Sequence, residues 1–167
     1  MRCSVGFVPR WANARVSTPT LATLRVVFGR ERSAIRCVGA ILLDDSARIL
    51  LIQRGHEPGR WQWSLPGGKV EPGETDNQAI VREMAEETSL IVHPTTLTGV
   101  ARRPAPTGEF VIYDYLCDII AGVPTAGSDA AAVRWVDRAG FEALDHAGRL
   151  TEQLAETLRD WHALPWR

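Results

Sequence analysis

Hydrophobic positions along this chain fall into two rhythms. From Cys37 to Leu43 they run almost without a break, and after Asp44-Asp45-Ser46 they resume between Arg48 and Gln53. Short apolar runs bounded by turn residues predict buried strands, here two strands joined as a hairpin. Gly55 to Gly59 predicts a loop, and Trp61 to Leu65 a short extended run broken by Pro66-Gly67-Gly68. Lys69 to Glu71 predicts another short strand before a Pro72-Gly73 turn. Strands are also predicted at Leu97–Ala101, Phe110–Ile120 and Ala132–Val136, with a loop around Pro104 and Pro106. The second rhythm is helical. Thr75 and Gln78 have capping-box spacing, and Val81, Met84, Ala85 and Thr88 recur at i, i+3, i+4 and i+7. This predicts a helix over about 75–88 with that stripe toward the core. Residues 138–145 and 149–162 also read as helical. Strands, one helix, strands and helices in that order predict a mixed α/β sandwich.

Composition narrows the class. The chain has 167 residues, 45% of them hydrophobic and 23% charged, which suits one globular domain. Its longest clean apolar run, Ala40 to Leu43, is far short of the ~18 residues of a spanning helix, so no membrane partner is expected. The formal net charge of -1 gives no bulk attraction to nucleic acid. That near-zero total conceals a split. Residues 1–36 carry seven Arg against the single acid Glu31, whereas the remainder is net acidic. Residues 1–34 therefore read as a basic N-terminal tail, disordered or extended. Its Arg, Ser and Thr content fits a transit peptide, a basic arm for polyphosphate, or an ordinary variable terminus. Residues 35–167 form the domain. Cys3, Cys37 and Cys117 match no zinc spacing, and the last two lie in apolar runs as buried thiols. A reducing, cytoplasmic location follows.

The charged side of the 75–88 helix carries the candidate chemistry. Glu83, Glu86 and Glu87 lie at i, i+3 and i+4 and share one face, nearly opposite the apolar stripe. Like charges at this spacing repel by a few tenths of a kcal/mol per pair. Arg82 is one turn from Glu86 and can offset part of that cost. A divalent cation would offset more. Gly67-Gly68 lies just upstream, where bare backbone can approach a ligand closely, and Glu74 lies beside the helix start. Carboxylates plus a carbonyl are the oxygen donors that Mg2+ takes, with Mn2+ as the alternative. The same acids could instead form a plain solvated helix face.

These residues carry a family pattern. Gly68-Lys69-Val70-Glu71-Pro72-Gly73-Glu74, seven further residues, and Arg82-Glu83-Met84-Ala85-Glu86-Glu87-Thr88-Ser89-Leu90 resemble the Nudix box at eight of its nine specified positions. The departure is Ser89, where the family has Gly at the helix end. A left-handed residue is usual there, and Ser would cost about 1 kcal/mol. The resemblance implies a Nudix-type α/β/α sandwich with a mixed sheet and one catalytic helix, and Mg2+-dependent hydrolysis of a nucleoside diphosphate linked to a moiety X. It implies Glu86 and Glu87 as main metal ligands, Glu83 as a further ligand or base, and Gly67 as a carbonyl ligand. Glu74 and Arg82 would orient the cluster. Asp129 would supply a later-loop acid, with Glu109 as competitor.

The substrate is less determined. Gly127-Ser128-Asp129 and Pro104 look like the corresponding segments of ADP-ribose-type members of that family. Arg102 and Arg103 could pair with phosphates, and Trp63, Phe110, Trp61 or Tyr113 could stack on a base. ADP-ribose or a nucleotide sugar is the leading expectation. The alternatives are a house-cleaning pyrophosphatase for oxidised nucleoside triphosphates, a nucleotide-sensing domain that does not cut, and a structural metal-binding domain. A second copy of the chain is a candidate partner, since symmetric dimers are common.

Overall fold

The computed structural model describes residues 33–127 and 129–166. The tail reading over 1–32, Cys3 and Ser128 lie outside the described residues. Strand β1 (Ser33–Ile41) begins within the segment read as tail, so the domain's first strand starts at Ser33.

Two sheets form the centre. The first has the order β4-β1-β6-β5, with β4 at Gly67–Lys69, β5 at Ile91–Ala105 and β6 at Gly108–Ala121. The second has the order β3-β2-β7, with β2 at Ile49–Arg54, β3 at Trp63–Ser64 and β7 at Ala130–Val136. The first sheet is mixed, because β1 pairs parallel with β6 and antiparallel with β4.

Alternation along the strands builds a core on each side. Val38, Ala40, Leu42 and Leu50 pack with Ala79, Ile80 and Met84 of helix α1 (Asp76–Thr88). Ile41, Ile49 and Leu51 face the other way and pack with Phe141 of α2 (Arg138–His146) and Leu158 of α3 (Leu154–Asp160). The unbroken Ile49–Ile52 run is thus a strand buried on both faces. The arrangement is an α/β/α sandwich. Cys37 and Cys117 are buried free thiols. Among the described residues no helix is long and apolar enough to cross a membrane.

Several expected elements differ. β1 and β2 do not form a hairpin ladder. Leu43 and Ile49 make one bridge, and the strands then diverge into separate sheets because β4 and β6 already flank β1. The Trp61–Leu65 run does end before Pro66, with β3 stopping at Ser64. Gly67 and Gly68 are themselves strand, pairing with Gly39 and Val38, so the short strand expected over Lys69–Glu71 spans Gly67–Lys69 instead. The expected loop at Pro104 is part of β5, an edge strand, where a missing N–H costs no ladder bond. The last helix starts at Leu154 because Leu150 is bridged to Trp63 in extended form.

Helix α1 begins as expected. The Thr75 hydroxyl accepts from the Gln78 amide, and the Gln78 side chain accepts from the Thr75 amide. Its core stripe is turned by about one residue from the expected one. Ile80, Met84, Glu87 and Thr88 are buried, while Val81 is 38% exposed and Ala85 is exposed. Ser89 ends the helix in the left-handed region at φ 59°.

Candidate active site

Two glycines bring strand and helix together. Gly67 has φ 142°, and a Cβ there would collide with the Val38 carbonyl of β1. A Cβ on Gly68 would collide with the Glu83 carboxylate. Only bare backbone lets α1 lie this close to β4. The Gly67 N–H donates to Glu87 Oε2 at 2.8 Å.

Arg82 organises the acids. Its Nε and Nη2 donate to both oxygens of Glu74 at 2.8 and 2.9 Å. Nη1 donates to Glu83 Oε1 at 2.8 Å and to Glu86 Oε2 at 3.4 Å, and Nη2 also reaches the Lys69 carbonyl at 3.0 Å. The planar fork suits such a task, which an ammonium could not perform. Glu74 in turn accepts the Glu71 N–H at 2.9 Å, closing the Pro72-Gly73 turn.

The electrostatics separate the carboxylates. Arg82 and the Glu71 amide hold Glu74 down to about 2. Burial pushes Glu83 up against the opposing pull of Arg82. Glu87 is 8% exposed, and burial pushes its carboxyl up to about 7 despite the Gly67 hydrogen bond. The charges of Glu83 and Asp129 add to that push, whereas Arg54 at the end of β2 opposes it. The sequence reading placed Glu87 opposite the apolar stripe. In the structure it borders the core, and that is the origin of its raised pKa.

Asp129 is exposed, with its carbonyl accepting the Gly55 N–H at 3.1 Å. Its charge is felt by both Glu83 and Glu87, so the loop brings it to this acid cluster. Glu109 is engaged elsewhere, with Arg102 at 2.6 Å. Among the described residues no three carboxyl, His or Cys groups converge on one metal position as they stand. Glu83 is bonded to Arg82, and Glu87 accepts from the Gly67 amide. The donor set nevertheless fits a hard divalent ion. It is all oxygen, it includes a buried carboxylate lacking a cation, and glycine backbone lies beside it.

The expected substrate residues scatter. Trp63 is 8% exposed and packs with the α2–α3 core, so it offers no face for stacking. Arg102 and Arg103 alternate along β5 onto opposite faces and do not form a clamp. Arg102 is spent on Glu109, while Arg103 donates to Thr157 Oγ1 at 2.8 Å. Phe110 is half-buried and shares a face with Arg103. Tyr113 lies under the Arg36 guanidinium at 3.8 Å.

Two residues escaped the sequence reading. Arg54 lies one residue past the Arg48–Gln53 run, as the last residue of β2. Asp114, 6% exposed in the middle of β6, is one of two acids, with Asp118, in the run Phe110–Ile120 read as a strand. A charge between apolar neighbours at a mid-strand position was the available signal.

The NUDIX domain family pattern matches residues 34–160. The chain belongs to the Nudix family. An ADP-ribose pyrophosphatase from Methanocaldococcus jannaschii is 39% identical over 98 residues, covering 58% of this chain and 58% of that protein. A putative 8-oxo-dGTP diphosphatase from Bacillus subtilis is 37% identical over 97 residues, covering 58% of this chain and 62% of that protein. Both matches span less than two thirds of the relative's own length. The solved structure of a MutT protein from Methanosarcina mazei superposes with a TM-score of 0.69 at 20% identity, over 79% of this chain and 95% of that one. Nudix hydrolases as a family act on pyrophosphate bonds.

Proposed function

We propose that this Nudix hydrolase cleaves, with Mg2+, the pyrophosphate bond of a nucleoside diphosphate linked to a second group, and that ADP-ribose or a nucleotide sugar is the preferred class. The observation that carries the reaction is the Gly67–Glu87 hydrogen bond, which joins the glycine strand to the acidic helix. In this reading Glu83, Glu86, Glu87 and the Gly67 carbonyl hold the metal, with Asp129 contributed by its loop. Mn2+ would suit the same donors. When bound, the metal neutralises pyrophosphate charge and acidifies water. Arg82 fixes Glu83 and Glu86 and ties them to Glu74. Glu83, kept partly dry beside Gly68, is the carboxylate in position to take a proton from the attacking water. Water then adds to one phosphorus, the bridging P–O bond breaks, and the leaving phosphate carries the charge away.

The name of the archaeal relative supports ADP-ribose, and so does the Gly127–Asp129 loop. The name of the Bacillus relative favours a second reading, oxidised nucleoside triphosphates. A panel of both classes, assayed with Mg2+ and resolved by chromatography, decides. We expect ADP-ribose or a nucleotide sugar to have the higher kcat/KM. A triphosphate preferred tenfold, about 1.4 kcal/mol at the transition state, establishes the second reading.

The catalytic unit in this proposal is residues 33–167, in a reducing cytoplasm that suits the two buried thiols. The partner is a small nucleotide rather than nucleic acid or membrane, with a second copy of the chain as the protein partner. Deleting residues 1–32 should leave kcat/KM unchanged. A large loss in a truncation that still unfolds cooperatively assigns the tail to the site instead.

A further inference from the structure

Asp114 sits where a sheet interior ordinarily carries an apolar side chain. β6 is flanked by β1 and β5, and Asp114 is paired with Gly39 on one and Gly99 on the other. Both neighbours lack side chains at that register. The space above Gly39 is taken by Asp114 Oδ1, and the space above Gly99 by the Trp161 indole. The carboxylate therefore leans toward β1, on the side where the Pro66 carbonyl lies 3.8 Å from the Gly39 Cβ position. The next residue of that segment is Gly67, the start of the proposed metal site.

This carboxylate is incomplete. No described residue donates a hydrogen bond to it or pairs with it as an ion. Arg103 shares its face and draws its pKa down, yet the Arg103 guanidinium is bonded to Thr157 Oγ1 and the Arg102 carbonyl. Burial outweighs that pull and raises the Asp114 carboxyl to about 6. The residue keeps 6% of its surface exposed. A nearly buried carboxylate with no partner among the described residues is costly in the free protein. A ligand with donors for its vacant lone pairs removes that cost.

We propose that Asp114 is a specificity-determining residue whose carboxylate accepts hydrogen bonds from two adjacent donors on the substrate's nucleoside, either the 2′- and 3′-hydroxyls of a ribose or the N–H pair on the Watson–Crick edge of a guanine. This rests on the nucleoside diphosphate reading above. Position supports it. The nucleoside is bonded directly to the pyrophosphate, and Asp114 lies about one strand spacing, ~4.8 Å, beyond the strand that pairs with Gly67. Trp161 on the Gly99 side supplies a flat apolar wall for whatever enters. Both donor pairs match a carboxylate in spacing and polarity, whereas an adenine edge presents one donor beside one acceptor and does not.

Four substrates separate the sources: ADP-glucose, GDP-glucose and the 2′-deoxyribonucleoside counterpart of each. Wild type should favour compounds with the donor pair at least tenfold in kcat/KM. Asp114→Asn should bring the favoured compounds down to the level of the others, leave the others unchanged, and not lower Tm. A gap that closes between ribo and deoxy compounds assigns the diol. One that closes between guanine and adenine compounds assigns the base edge. Equal losses on all four, or a preference that survives the substitution, overturn the proposal. A purely structural Asp114 would instead lower Tm and all four activities together. If Asp114→Asn does not fold, Gly39→Ala serves as the second variant, since its methyl displaces Oδ1 and should narrow the same gap. Calorimetric titration of the four compounds reads the preference even if none is cleaved. Absence of cleavage with Mg2+ then counts against the reaction alone, and equal affinities in wild type and variant count against Asp114.

Discussion

Glu87→Gln should cut kcat about a thousandfold, roughly 4 kcal/mol of transition-state stabilisation, while making the metal-free protein more stable. The two effects share one cause. Glu87 is nearly buried, and its carboxyl stands at about 7 against an ordinary 4.5 because burial disfavours the charge. The folded protein therefore holds a proton that the unfolded chain releases between these values. Stability from this group is present below about 4.5 and is lost as pH rises through 7, reaching about 3 kcal/mol. Glutamine carries no charge and still offers an oxygen to the Gly67 N–H. In thermal unfolding without metal, the variant should gain several degrees over wild type at pH 8 and lose most of that advantage at pH 5. A variant that melts below wild type at pH 8 refutes the electrostatic account. One that keeps most of its turnover refutes the role proposed for Glu87.

Excess chelator should reduce turnover to background, and added Mg2+ should restore it. Arg82 is committed to Glu74, Glu83, Glu86 and the Lys69 carbonyl, so this guanidinium is not free to neutralise a pyrophosphate. The same ion should raise Tm, since a ligand bound only by the folded state at a hundred times its Kd adds about 2.7 kcal/mol. Undiminished turnover in chelator would sink the metal mechanism. Turnover that fails while Tm responds normally to Mg2+ would instead point to the wrong substrate.

Local signals in the sequence proved the most legible. Thr75 and Gln78 mark the helix start because a capping box is written in four consecutive residues. Ser89 ends the helix in the backbone conformation expected of that position. Half of the expected apolar stripe holds, since Met84 and Thr88 are buried, but Val81 and Ala85 satisfy the helical period as well as Ala79 and Ile80 do and are exposed. Only packing against both sheets decides between those faces, and it also draws Glu87 inward. The β1–β2 hairpin failed for a related reason. Turn residues at Asp44–Ser46 report a reversal but not which distant strand, β6 or β7, claims each partner. Strand β5 runs through Pro94 and Pro104 because it is an edge, a property of the whole sheet. Arg102 and Arg103 read as neighbours in sequence, yet a strand sends neighbours to opposite faces.

The segment that delivers Asp129 is fastened before any ligand arrives. The Thr125 N–H donates to the Thr88 carbonyl at 2.9 Å, the Gly127 N–H donates to the Glu87 carbonyl at 3.0 Å, and the Asp129 carbonyl accepts from Gly55. A Cβ on Gly127 would collide with the Glu86 carbonyl, so this backbone lies directly against the end of α1. An acid on a free loop would have to surrender backbone entropy on binding, of order 1–2 kcal/mol for each residue it orders. Here the carbonyls of the last turn of α1 hold Thr125 and Gly127, and the Gly55 N–H holds the Asp129 carbonyl, in the folded chain itself. Asp129 thus comes to the acid cluster preorganised by the main chain of Glu87, the residue whose side chain faces the same cluster.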